Sequence, residues 1–128
     1  MVAFPEGFLW GVSTAGHQIE GGNKYSDWYE WEKKGKVKGG ETSEIACGSW
    51  ERLERDIKAL EELGVKAYRY SIEWARIEPE SGKFDEDALE RYAGFTKELV
   101  SKGIHPVVTL NHFVLPLYMP FQDFPHLD

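Results

Sequence analysis

The sequence has little of what builds disulfide frameworks, membrane spans or nucleic-acid surfaces. Its 128 residues include one cysteine, Cys47, which excludes an internal disulfide. Lys and Arg number 15 against 22 Asp and Glu, and the formal net charge of −7 disfavours nucleic acid and anionic membranes as partners. No apolar run approaches the roughly 20 residues of a membrane helix, and residues 1–5 lack the features of a signal peptide. We expect one cytoplasmic domain.

The motifs of several common sites are also missing from the sequence. There is no phosphate-binding loop, and no Gly-x-Gly-x-x-Gly follows a predicted strand. The histidines and Cys47 do not have the spacing of metal ligands. No serine or cysteine lies in a nucleophile-elbow motif. We therefore expect no metal and no cofactor.

What the sequence does contain is an alternation of strand-sized apolar segments and helical patterns. Strands are predicted at residues 8–13, 67–72 and 106–110 from their apolar, β-branched and aromatic content. Because helices separate them, parallel pairing with right-handed crossovers is favoured. This order predicts an α/β fold, either a doubly wound sheet or a (β/α)8 barrel.

Capping residues predict where the two helices begin and end. Ser49 is a suitable N-cap for the first helix and Gly64 a suitable C-terminal glycine. Asp85 is the predicted N-cap of the second helix, which ends near Gly103. Apolar residues recur at helical spacing along each helix. For the second helix the predicted buried face comprises Leu89, Tyr92, Phe95 and Leu99.

Polar side chains follow each of the three predicted strands. Gln18 and Glu20 come after the first strand, Glu73 after the second, and Asn111 and His112 after the third. The carboxyl ends of parallel strands meet at one edge of a sheet, where α/β proteins bind their ligands. We therefore expect a shared polar site at this edge.

Several of these polar groups allow two interpretations. Glu20 and Glu73 could be the paired carboxylates of a glycosidase, but structural acceptors for an Arg or a backbone amide are the favoured interpretation. His112 could equally cap its strand or bond a ligand hydroxyl. The amide of Gln18 suits either a sugar hydroxyl or a loop cap. Arg69 lies in mid-strand and is expected to need a partner, which could be Glu20, Glu73 or a group on strands missing from this chain.

Three motifs, taken in order, resemble glycoside hydrolase family 1, the β-glucosidase and β-galactosidase family. They are "FPEGFLWGVSTAGHQIEG" at residues 4–21, "YRYSIEWARIEP" at residues 68–79 and "TLNHFVLP" at residues 109–116. The wording looks most like that of archaeal, thermophilic members. The resemblance implies an incomplete (β/α)8 TIM barrel, made of its first three parallel strands and two helices. It also implies retaining hydrolysis of β-glycosides.

Roles for individual residues follow from this resemblance alone. Gln18 and His112 correspond to residues that bond hydroxyls of the nonreducing-end sugar. Phe113 stands where the family commonly has Trp beside the same sugar, and Asn111 precedes the histidine. Arg69 corresponds to the arginine that supports the catalytic nucleophile.

The sequence also departs from the family pattern. Neither the Thr-x-Asn-Glu-Pro motif of the acid/base nor the Ile/Val-Thr-Glu-Asn-Gly motif of the nucleophile occurs in it. We expect residues 1–117 to be the N-terminal part of a glycosidase barrel and residues 118–128 to be an atypical tail. The isolated chain is then a truncated, inactive enzyme that needs self-association or a complementary barrel fragment for stability. The alternative is a non-catalytic sugar-binding or interaction module.

Overall fold

A computed structural model describes residues 3–119 and contains a parallel sheet of three strands in the order β1-β2-β3. The strands are β1 (Gly11–Ser13), β2 (Ala67–Ser71) and β3 (His105–Thr109). Gly11 pairs with Ala67, and Ala67 in turn pairs with His105. The predicted strand order and parallel direction are confirmed. The first strand is shorter than predicted, because residues 8–10 precede the ladder.

Helices connect the strands and also occur in the loops after them. The helices among residues 3–119 are α1 (Gly16–Ile19), α2 (Asp27–Lys33), α3 (Leu53–Leu63), α4 (Trp74–Ile77) and α5 (Glu86–Ser101). The crossover helices α3 and α5 are the two that the sequence predicts. The prediction missed α1, α2 and α4, which are short and lack two full turns of apolar periodicity. No helix in the described part of the chain is long and apolar enough to cross a membrane.

Three predicted helix ends, including the end of α5 near Gly103, are confirmed and one is wrong. The Asp85 carboxylate accepts a hydrogen bond from the Ala88 backbone N–H at 2.9 Å, as an N-cap should. Gly64 ends α3 in the left-handed conformation at φ 68°. Ser49 is not the N-cap of α3, because residues 49–51 form a 3₁₀ turn instead. The Trp50 N–H donates to the Glu20 carbonyl at 3.3 Å, and this bond ties the turn to the loop after β1.

The main apolar core lies between β2 and the two crossover helices. Two stacked tyrosines of β2, Tyr68 and Tyr70, face Phe95 of α5 edge-on. The predicted buried face of α5 is wrong at Leu89, which is 44% exposed, whereas Ala88 is buried. The positions 88, 92, 95 and 99 share the stripe that points at the sheet, and residue 89 lies one step around the helix. The core comprises Ile57, Leu60, Tyr68, Tyr70, Phe95, Leu99 and Ile104.

The flanks of the sheet are less covered than its centre. Val12 of β1 and both valines of β3, Val107 and Val108, are exposed. Phe4, Phe8 and Trp10 form an exposed aromatic cluster before β1, with ring centroids 4.5–5.0 Å apart. The apolar surface of the described residues is therefore buried around β2 and open on both sides of it.

Candidate functional site

The loops after β1 and β3 are held together at the carboxyl edge of the sheet. Ser26 and Pro116 form an antiparallel bridge. The Asp27 N–H donates to the Leu115 carbonyl at 2.9 Å, and the Leu115 N–H donates to the Asp27 carboxylate at 3.0 Å. This reciprocal pair fixes one loop against the other. The bridge therefore holds the loop after β1 and the loop after β3 at the same edge of the sheet, the edge at which the polar groups were predicted to lie.

The residues with implied sugar contacts lie on these two loops. Gln18 is exposed on α1, and His112 is half-buried. Phe113 is 47% exposed and has a left-handed backbone at φ 57°, which is unusual for a bulky residue. Its ring meets Trp28 edge-on at 5.4 Å. Asn111 donates its side-chain amide to the Val114 carbonyl at 3.4 Å, so in this structure it braces its own loop.

Glu73 is buried directly after β2 and accepts hydrogen bonds from the loop after β1. One carboxylate oxygen, Oε1, accepts from the His17 backbone N–H and from the Ser71 hydroxyl, each at 3.1 Å. The other, Oε2, accepts from the Asn23 side-chain amide at 2.8 Å. Burial raises the pKa of the Glu73 carboxyl above its usual range, although the donors from Ser71 and His17 oppose the shift.

Glu20 is the second buried carboxylate, and Arg76 is its partner. The Arg76 guanidinium donates to Glu20 at 3.1 Å, and the Tyr92 hydroxyl donates to it at 2.8 Å. The same hydroxyl accepts from the Glu73 N–H at 3.1 Å, which links the two acidic residues. Burial raises the pKa of Glu20 to about 7, because desolvation outweighs the attraction of Arg76 and the hydrogen bond from Tyr92.

These contacts support the structural interpretation of both carboxylates. Their oxygens are occupied by donors of the chain itself, as structural acceptors require. Arg69 pairs with neither of its two local candidates, because Arg76 donates to Glu20 and the oxygens of Glu73 accept from other donors. The remaining alternative, a partner outside the described residues, stays a prediction. Tyr68 and Tyr70 point at the helices, so Arg69 between them points to the opposite face, where it is exposed.

Several residues at this edge were not found from the sequence. His17 is buried and contacts Glu32 of α2 at 3.1 Å, and the other Glu32 oxygen accepts from Ser43 at 2.8 Å. Asn23 and Tyr92 complete the hydrogen bonds of the two carboxylates. Their partners lie 11 to 72 residues away along the chain, so no local pattern indicated them. Arg76 follows Glu73 by three positions, but it donates to Glu20, 56 residues away, so its local spacing did not indicate its partner either.

Parallel strands with helical crossovers place this protein in the α/β class, and its fold matches part of the barrel of a solved family 1 β-glucosidase. The sequence model of the family described as "Glycosyl hydrolase family 1" matches residues 1–122 of the chain. The chain belongs to glycosyl hydrolase family 1. The resemblance seen in the three motifs, and the barrel-derived fold it implied, are therefore confirmed.

Individual relatives come from several organisms, including thermophiles. Beta-glucosidase A of Thermotoga maritima is 47% identical over 126 residues, which are 93% of this chain and 28% of that protein. The solved β-glycosidase of Pyrococcus horikoshii superposes with a TM-score of 0.84 at 46% identity, over 90% of this chain and 27% of that one. Human cytosolic beta-glucosidase is 35% identical over 132 residues. The chain thus spans little more than a quarter of the length of the first two.

Proposed function

We propose that this chain forms the N-terminal part of a retaining β-glycosidase and provides one wall of its sugar pocket. The observation that carries the proposal is the bridge between the loops after β1 and β3, which holds the Gln18 and His112 loops at one edge of the sheet. This is the edge at which barrel enzymes bind their substrates. The family membership supports the reaction class.

The exposed and half-buried groups at this edge have the chemistry that a sugar requires. The Gln18 amide and the His112 ring each donate and accept hydrogen bonds, which matches the dual character of hydroxyl groups. Phe113 and Trp28 offer apolar surfaces beside them for the C–H faces of a pyranose. Asn111 holds the loop that carries His112 and Phe113. We propose four residues at this edge as substrate-binding residues: Gln18, Asn111, His112 and Phe113.

Arg69 is proposed to act on a carboxylate outside the described residues. It projects from the sheet face opposite the two crossover helices and is exposed there. A guanidinium in that place would favour the ionised form of a nearby glutamate, as a glycosidase nucleophile requires. Glu20 and Glu73 do not serve as the working pair in this proposal, because each is engaged by buried structural donors.

The test combines direct binding with fragment complementation. The whole chain is titrated with glucoimidazole, a compound seen bound to the Thermotoga maritima relative. It is also co-folded with the remaining C-terminal part of that relative and assayed with an aryl β-glucoside. We expect the chain alone to bind without hydrolysis, and the co-folded mixture to turn over substrate.

Matched histidine variants test whether the proposed wall of the sugar pocket takes part in binding. His112→Ala should abolish binding and turnover, whereas His105→Ala, an exposed residue at the amino end of β3, should change neither. Equal effects of the two variants would contradict the proposal. Hydrolysis by the chain alone that is lost in Glu73→Gln would instead assign catalysis to the local carboxylates.

A second candidate is a non-catalytic sugar-binding module. The observation that favours it is the engagement of both buried carboxylates by donors of the chain itself. Glucoimidazole binding by the chain, with no turnover under any complementation condition, is the result that this alternative predicts.

A further inference from the structure

The loop after β1 approaches the end of β2 unusually closely at one point. Gly16 opens α1, and its N–H donates to the Ser71 hydroxyl at 2.7 Å. The next N–H, that of His17, donates to Glu73. The first two amides of α1 are therefore bound by two side chains from the end of β2. Gln18 follows directly, so its backbone position is set by these bonds.

Gly16 leaves no space for a side chain at this approach. A Cβ atom at position 16 would lie 2.5 Å from Oε1 of Glu73 and 2.7 Å from its Cγ. Glu73 cannot move away freely, because its other oxygen is held by Asn23 and its backbone N–H by Tyr92. The glutamate side chain at position 73 therefore fits only if position 16 has no side chain.

We infer that Glu73 is a positioning residue that fixes α1, and with it Gln18, in the sugar-binding geometry. It acts through the His17 N–H and not through contact with substrate. The close fit of Gly16 against the carboxylate makes the two residues a coupled pair. This inference rests on the proposed function, because it assigns Gln18 a ligand to meet.

Two substitutions at position 73 distinguish the role of the hydrogen-bond acceptor of Glu73 from the role of its negative charge. Glu73→Gln keeps an oxygen for the His17 N–H, and the Asn23 amide can turn so that its own oxygen, which has no partner among the described residues, accepts from the new NH₂. Glu73→Ala removes the acceptor. We expect Glu73→Gln to bind glucoimidazole within about threefold of wild type and Glu73→Ala to bind about tenfold or more weakly, since small misplacements of a binding group are costly.

The coupled pair gives a second, independent test. Gly16→Ala alone should weaken glucoimidazole binding by about tenfold, because the new methyl group displaces the carboxylate. In a Glu73→Ala background the same substitution should add no further loss, since the obstructing group is gone. Additive losses in the double variant would overturn the coupling.

Hydrogen exchange at the His17 amide distinguishes failure of this inference from failure of the proposed function. The amide should exchange at least about tenfold faster in Glu73→Ala and at the wild-type rate in Glu73→Gln. If wild type does not bind glucoimidazole, the proposed function fails and this exchange rate alone decides whether Glu73 fixes α1.

Tyr70→Phe is the control for a merely structural effect. It removes a partly buried hydrogen bond to Thr96, 2.6 Å long, in which no group of α1 takes part. It should lower stability without changing affinity or the exchange of the His17 amide.

Unchanged affinity in Glu73→Ala, or a loss in Glu73→Gln as large as in Glu73→Ala, would overturn the positioning role.

Discussion

Around β2 the sheet is closed by α3 and α5, whereas at β1 and β3 apolar side chains remain in contact with solvent. Leu99 of α5 is fully buried against the β2 tyrosines. Trp10, immediately before β1, is 56% exposed within its aromatic cluster. What differs between the two regions is whether helices of the chain pack over their apolar side chains. The closed region therefore carries the folding free energy, and the open region carries surface available for association.

The largest expected effect is in the closed region. Leu99→Ala should lower the free energy of unfolding by about 2–5 kcal/mol, because it removes a buried side chain and leaves a cavity. Leu63→Ala, the same change at a 66% exposed helical position, should cost less than about 1 kcal/mol. Urea unfolding measures both. Equal losses would contradict the placement of the core between β2 and the crossover helices.

The second-largest expected effect is a pH dependence of the free energy of unfolding, caused by a carboxyl group that is buried against α5. Burial raises the pKa of the Glu20 carboxyl from its ordinary value of 4.5 to about 7. Between these values the folded state binds more protons than the unfolded state, so the free energy of unfolding should fall as pH rises. The contribution is at most about 3–4 kcal/mol, at ~1.4 kcal/mol for each pKa unit. Thermal unfolding from pH 4.5 to 8 measures it.

Glu20→Gln is the variant that tests the origin of this slope. The slope should shrink without vanishing, because burial also raises the pKa of Glu73 and contributes in the same direction. Glu54→Gln makes the same charge change at an exposed position and should leave the slope as it is. An unchanged slope in Glu20→Gln would show that the proton sits elsewhere.

The smallest expected effect is in the open region. The exposed cluster around Trp10 should cause concentration-dependent self-association of the chain, which sedimentation detects. Trp10→Ser should weaken this association about tenfold, or ~1.4 kcal/mol. Ile45→Ser, at a 77% exposed loop position, is the matched control and should have little effect. A sharply unfolding monomer at all concentrations would contradict the comparison of open and closed regions.

Much of the fold could be predicted because its signals are local. The Asp85 N-cap, the Gly64 C-cap and the apolar periodicity of α3 and α5 each lie within a few residues. Parallel order followed from the alternation of strands and helices, and the three motifs then indicated the family. The errors at Ser49 and Leu89 are also instructive. Each position has an acceptable local pattern that a tertiary contact or the direction of the sheet overrides.

The candidate site also has some features that the sequence predicts and others that only the tertiary structure shows. The sequence itself determined that polar groups follow each strand, and it determined which of them resemble sugar-binding residues. Only the tertiary structure decided that Glu20 pairs with Arg76, that Glu73 binds the His17 amide, and that Gly16 must lack a side chain. Periodicity and capping depend on neighbours three or four positions apart. These decisions depend on buried donors and acceptors more than 50 residues apart, which only folding brings within hydrogen-bond distance.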